Sequence, residues 1–104
     1  MMKFWFNVLN LRREKILSGM TVTILEAGTS TPAAVYRDPE GKDVIVNPIT
    51  PAIYARLSGS INFYGSSNKY DILLEDDYGQ CLVCGVGALT HQVFFERMPK
   101  AVPE

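Results

Sequence analysis

Residues 21–27 read Thr-Val-Thr-Ile-Leu-Glu-Ala and run directly into Gly28, Thr29, Ser30, Thr31 and Pro32. Thr alternating with β-branched apolar residues is the period of a half-buried strand, and the Gly/Ser/Pro cluster behind it supplies the dihedrals of a reversal. Val22 and Ile24 then face inward, and Thr21, Thr23 and Leu25 face outward.

The rest of the chain repeats this strand-then-turn unit. Residues 3–10 set Phe4, Phe6 and Val8 against Trp5, Asn7 and Leu9. Phe4, Val8 and Leu11 also carry helical spacing, but the density of aromatic and β-branched residues favours a strand. A charged connector, 11–19, ends in Ser18-Gly19, with a brief extended piece at Lys15, Ile16 and Leu17. Residues 33–37 and 43–46 read as short strands turned by Asp38-Pro39-Glu40-Gly41. Pro48 and Pro51 lack amide donors, which confines their stretch to edge strand or loop. Residues 54–57 fit no single pattern, whereas 60–64 and 69–75 alternate. Asp76-Asp77-Tyr78-Gly79 turns the chain into 80–86, where Gly85 and Gly87 mark a bulge or a close backbone approach. A last strand spans 91–98, and 99–104 is a fraying tail. Roughly seven to nine short strands at about 10-residue spacing predict an all-β fold, a small antiparallel β-sandwich or barrel. With no internal repeat, 1–104 reads as one domain.

Composition limits the classes of function. Hydrophobic residues make up 47% of the chain and charged residues 20%, a globular balance, and a net charge of −1 gives no field for nucleic acid or an anionic membrane. The apolar start through Phe6 is broken at Asn7 and Asn10 and followed by Arg12, Arg13, Glu14 and Lys15, so neither an export signal nor a membrane span is expected. A chain made and kept soluble in a cytosol follows as the expectation. Cys81 and Cys84 form a C-x-x-C within a strand-like segment. Three residues along a strand cover about 10 Å and point to opposite faces, beyond the ~7 Å that a disulfide spans. Two buried, reduced structural thiols are expected, with no metal and no cofactor.

Residues that carry chemistry elsewhere form no constellation. His91 stands alone, without a nucleophile to serve. Glu75, Asp76 and Asp77, and likewise Asp38, Glu40 and Asp43, lie at turns without calcium-loop spacing. Gly85-Val86-Gly87 precedes no helix, and Arg12, Arg13 and Lys15 are too few for a nucleic-acid arm. The outward-facing set is more informative. If Val22, Ile24, Tyr70, Ile72, Leu74, Val93 and Phe95 build the core, then Leu25, Leu73, Phe94 and Trp5 point away from it. Large apolar side chains contributed by several strands can form a contiguous patch, which marks an interface. Trp5 is its natural anchor.

From Phe4 to about Asp76 the chain resembles a β-rich module of bacteriophage tail-fibre and tail-appendage proteins. The likeness rests on an ordered set of motifs. Asn7-Val8 comes first, followed by Gly19 with Val22-Thr23-Ile24, and by Ala27-Gly28-Thr29-Ser30-Thr31-Pro32-Ala33-Ala34-Val35-Tyr36. Next come the Asp38–Gly41 turn, Asn47-Pro48-Ile49-Thr50, Ile61-Asn62-Phe63-Tyr64 and Tyr70-Asp71-Ile72. Residues 51–60 stand where such modules carry a short Asp-Gly-Arg-type turn, and the modules are usually fused to long fibres; both departures point to a small adaptor.

The resemblance implies a prealbumin-like or carboxypeptidase-regulatory-like sandwich. It also implies a non-enzymatic virion protein of the tail, neck or baseplate, docked on other phage structural proteins. Self-assembly, as a trimer by analogy with fibres, is part of that expectation. Contacts are expected from Trp5, Leu25, Leu73 and Phe94, and from an N-terminal arm or first strand, 1–10, carrying Phe4, Phe6 and Leu9 to a neighbour. Two alternatives accompany this reading: a carbohydrate-binding module using Tyr54, Tyr64 and Tyr78 on host glycan, and a capsid decoration protein.

Overall fold

A computed structural model describes residues 1–9, 20–49, 61–76, 79–89 and 92–94. Among these residues there are six strands: β1 (Met2–Leu9), β2 (Met20–Glu26), β3 (Ile61–Gly65), β4 (Lys69–Asp76), β5 (Gly79–Gly87) and β6 (Gln92–Phe94). They form two three-stranded sheets, in the orders β3-β1-β6 and β2-β4-β5. Every pairing is antiparallel except β1 with β6, which run parallel. The all-β fold class therefore holds. No helix among the described residues is long and apolar enough to cross a membrane.

One core lies between the sheets. Phe4, Phe6, Val8, Ile61, Phe63 and Val93 come from the first sheet. Val22, Ile24, Tyr70, Ile72, Leu74 and Val86 come from the second. The inward residues expected of β2 and β4 are thus all in place. The aromatics set the spacing between the layers. Phe4 stacks on Phe63 with ring centroids 4.9 Å apart, and Tyr70 meets both edge-on at 5.2 and 5.5 Å. Offset and edge-to-face pairs satisfy the ring quadrupoles as well as burying large area.

β3 and β4 are consecutive yet lie in different sheets, so residues 65–69 cross from one layer to the other. Tyr70 governs this corner. Its hydroxyl accepts the Ser67 amide at 3.1 Å, and its ring lies so close to Gly65 that a Cβ there would overlap it. Only a glycine leaves room for the phenol.

Residues 27–49, which follow β2, cover one side of the sandwich. Ala33 N–H donates to the Ile24 carbonyl at 2.8 Å, and Val22 and Ile49 exchange backbone bonds of 2.8 and 2.6 Å. On the other sheet, Tyr36 and Tyr64 exchange bonds of 2.9 and 2.7 Å. Asn47 stitches the segment together, its Oδ1 accepting the Ile24 amide at 3.0 Å and its Nδ2 donating to the Ala33 carbonyl at 3.2 Å. The Asn47–Pro48 peptide is cis.

Two sequence expectations are corrected here. Residues 33–37 and 43–46 are not strands but meet at a single bridge, Tyr36↔Val44, around the Asp38–Gly41 turn. Tyr36 is shared between Val44 and Tyr64, and Pro32 and Pro48 bound the stretch in which a ladder could run. Residues 2–9 form the first strand, β1, as one of the two readings of the N-terminal segment expected, and are not a free arm. β1 is the middle strand of its sheet, and Phe4, Phe6 and Leu9 are buried in this chain's own fold, which withdraws them from any partner. The readings at 11–19, 54–57 and 95–104 lie outside the described residues.

Candidate functional site

The second sheet turns an apolar row outward. Inward Val22 and Ile24 leave Thr23 and Leu25 on the outer face of β2; Ile72 and Leu74 do the same for Asp71 and Leu73 on β4. Register aligns the strands: Thr23 pairs with Leu73, Leu73 with Leu82, and Leu25 with Asp71. Leu25, Leu73 and Leu82 therefore form a band across all three strands. Leu25 is buried but outside the core cluster, Leu73 is half-buried, and Leu82 is 51% exposed. The band floors a shallow concavity of about 550 Å³ that Thr29, Ser30, Gln80 and Cys84 complete.

Asp71, which lines that concavity, ties backbone from either side of it to the central strand. Its Oδ2 accepts the Gly28 amide at 2.9 Å and its Oδ1 accepts the Gly85 amide at 3.0 Å. Both glycines have positive φ, +78° and +68°, a conformation that side-chain-bearing residues rarely adopt. Gly28 belongs to the turn after β2, closed by Glu26 N–H to the Thr31 carbonyl at 2.9 Å and by the Thr29 hydroxyl to the Glu26 carbonyl at 2.8 Å. Gly85 sits in a β-bulge, where the β4–β5 register shifts between Tyr70 and Ile72. The bulge reading of Gly85 is thereby realised. The Gly28 amide above all, and then that of Gly85, hold the Asp71 carboxyl below the ordinary carboxylate range; burial opposes this, and Lys69 adds a smaller favourable field.

The other sequence-predicted residues fall elsewhere. Trp5, 37% exposed, lies on the outer face of the first sheet opposite Asn62, on the far side of the sandwich from the leucine band. The expected contiguous patch is therefore split: Leu25 and Leu73 are joined, and Trp5 is separate. The Phe94 backbone pairs with Leu9 on β6. Tyr64 is half-buried and tied by its backbone to Tyr36, while Tyr54, Tyr78 and His91 lie outside the described residues. Leu82 and Asp71 are the members of the site that sequence reasoning missed.

The remaining polar clusters serve local structure. Asp38 Oδ1 accepts the amides of Asp43 at 2.8 Å and Lys42 at 2.9 Å, which closes the acidic turn. That geometry, with the Asp43 amide foremost, keeps the Asp38 carboxyl below its usual range. Asp43 also pairs with Arg37 at 3.2 Å in the open. Cys81 and Cys84 are free thiols on opposite faces of β5, but they are not the buried pair expected: Cys81 faces the core at the sheet edge and is only half-buried, and Cys84 is exposed toward the concavity. Among the described residues, no group of three or more His, Cys, Asp or Glu side chains could hold a metal ion. Compared with known proteins, the chain matches no family model, no curated protein and no solved structure.

Proposed function

We propose that this chain is a non-enzymatic structural subunit of a phage virion, a small tail, neck or baseplate adaptor that associates with itself and docks on larger virion proteins. The observation that carries the reading is the Leu25–Leu73–Leu82 band, an apolar strip on the outward face of a sheet. Strips of this kind are buried in assemblies, because covering apolar area releases roughly 25 cal/mol per Å². The tail-module resemblance supports the particular assembly. Several of its motif residues hold the fold together: Asn47 stitches the connector, Gly28 is bound by Asp71, and Phe63 and Tyr70 build the aromatic core.

Particle analysis tests the reading. Mass spectrometry of purified virions should detect the chain in stoichiometric amounts, and a tagged copy imaged by electron microscopy should label the tail, neck or baseplate. Purified particles that lack the chain would refute the proposal.

A further inference from the structure

β5 is the longest of the described strands and lies at the end of its sheet. Among the described residues, β4 is its sole neighbour. Natural edge strands are protected by Lys, Pro, inward charges, short length, a covering loop or a bulge that bends the edge away. Among the described residues β5 has only the bulge at Gly85, which leaves Gln80–Val83 in regular register with β4, and Gly79-Gln80-Cys81-Leu82-Val83-Cys84-Gly85-Val86-Gly87 contains no charged residue and no proline over nine positions.

The burial along this edge is incomplete on both faces. Cys81 and Val83 point to the core but are only half-buried, although their register partners Leu74 and Ile72 are fully enclosed. On the outer face the leucine band reaches β5 and ends at Leu82, half in water. A covering strand would complete the core and extend the band in one step.

We infer that the missing neighbour is β5 of a second copy of this chain, paired antiparallel about a two-fold axis at Leu82. The inference rests on the self-association in the function proposed above and specifies its surface. Residues opposite each other in an antiparallel pair must share a face, so a two-fold at Leu82 sets Leu82 against its own counterpart and Gln80 against Cys84 on the outer face. Cys81 meets Val83 on the inner face. All these pairs are uncharged, and none sets like charges together. The β4–β5 turn at one end and the Gly85 bulge at the other limit the pairing to Gln80–Cys84, which fixes the register. An edge without charge offers a charged peptide nothing to recognise, whereas a copy of itself brings an equally apolar stripe. The two leucine bands become one continuous strip over a six-stranded sheet, and a two-fold closes on itself as a dimer.

Light scattering on the purified chain tests this. The wild type is expected at twice the chain mass at high micromolar concentration. Leu82→Lys should weaken association by more than about tenfold while the circular dichroism spectrum is retained, since the replaced side chain is exposed. Val46→Lys, an exposed apolar position on the connector, is the control and should stay dimeric. A short bis-maleimide, which alkylates one thiol on each copy, should link two copies of Leu82→Cys in a Cys81→Ala, Cys84→Ser background. A wild type of single mass overturns both the edge pairing and self-association, and leaves virion placement to the particle analysis. Retention of the dimer by Leu82→Lys, equal dissociation by Val46→Lys, or a dimer that cannot be linked at position 82 overturns the edge pairing alone.

Discussion

The two flanks of the β2-β4-β5 sheet are finished in opposite ways. Along β2, the connector closes the strand with the backbone of Ala33 and Ile49 and the side-chain amide of Asn47, which take up the free groups of Val22 and Ile24, whose side chains are wholly buried. Along β5, no described segment does this, and inward-facing Cys81 and Val83 are still reached by solvent. Both strands carry apolar residues on the core side, so alternation alone does not produce full burial. A cover on the strand's free flank is also required. Edge groups that find internal partners stabilise the subunit, and those that do not are available to another chain.

Substitutions at matched positions should separate the flanks. Ile24→Ala should lower unfolding free energy by about 2–5 kcal/mol, the range for emptying an enclosed aliphatic site. Val83→Ala should cost about 1 kcal/mol in a dilute, monomeric sample, since much of its surface is already wet. Urea denaturation of both variants checks the contrast, and equal costs would show that the flanks do not differ. A second, smaller effect concerns the stitch itself. Asn47→Ala removes two hydrogen bonds and should cost about 1–2 kcal/mol. Hydrogen exchange should speed up at the Ile24 amide and stay unchanged along β5; uniform acceleration would argue against a local seal.

The third prediction concerns acid and should be the smallest. Backbone amides hold the Asp71 and Asp38 carboxyls below the ordinary range when folded, and unfolding returns them to it. The unfolded chain then binds protons more readily, so these groups contribute stability above the ordinary carboxylate range and lose it as pH falls through their folded values. Melting temperature should decline along that limb. In Asp71→Asn it should start a few degrees lower at neutral pH and decline less steeply. An unchanged acid limb would mean that Asp71 does not contribute to it.

Much of the fold was legible because period-two alternation is local. The residues of β2 and β4 could be assigned to faces from their own neighbours, as Val22, Ile24, Ile72 and Leu74 demonstrate. Leu82 was not legible: Cys81-Leu82-Val83-Cys84 is continuously apolar, and only its register with Leu73 reveals which face it joins. The same limit explains Phe4 and Phe6. Their side of the strand was readable, but nothing in residues 2–9 announces that β3 and β6 will flank them. Asp71 looked like an ordinary outward carboxylate, because its two amide donors lie 43 and 14 positions away in the chain. Burial of a charge is a property of distant partners, and single-sequence patterns do not encode them.

Those donors have a mechanical consequence. One carboxylate on the central strand grips the turn leaving the covered flank and the bulge on the bare flank, so the sheet carries a yoke across its whole width. Any remodelling of residues 28–31 that tugs on Gly28 is passed to Gly85, at the outermost strand. Insertions in that loop should therefore alter how the molecule presents its bare flank to another protein, although they lie on the opposite margin of the sheet.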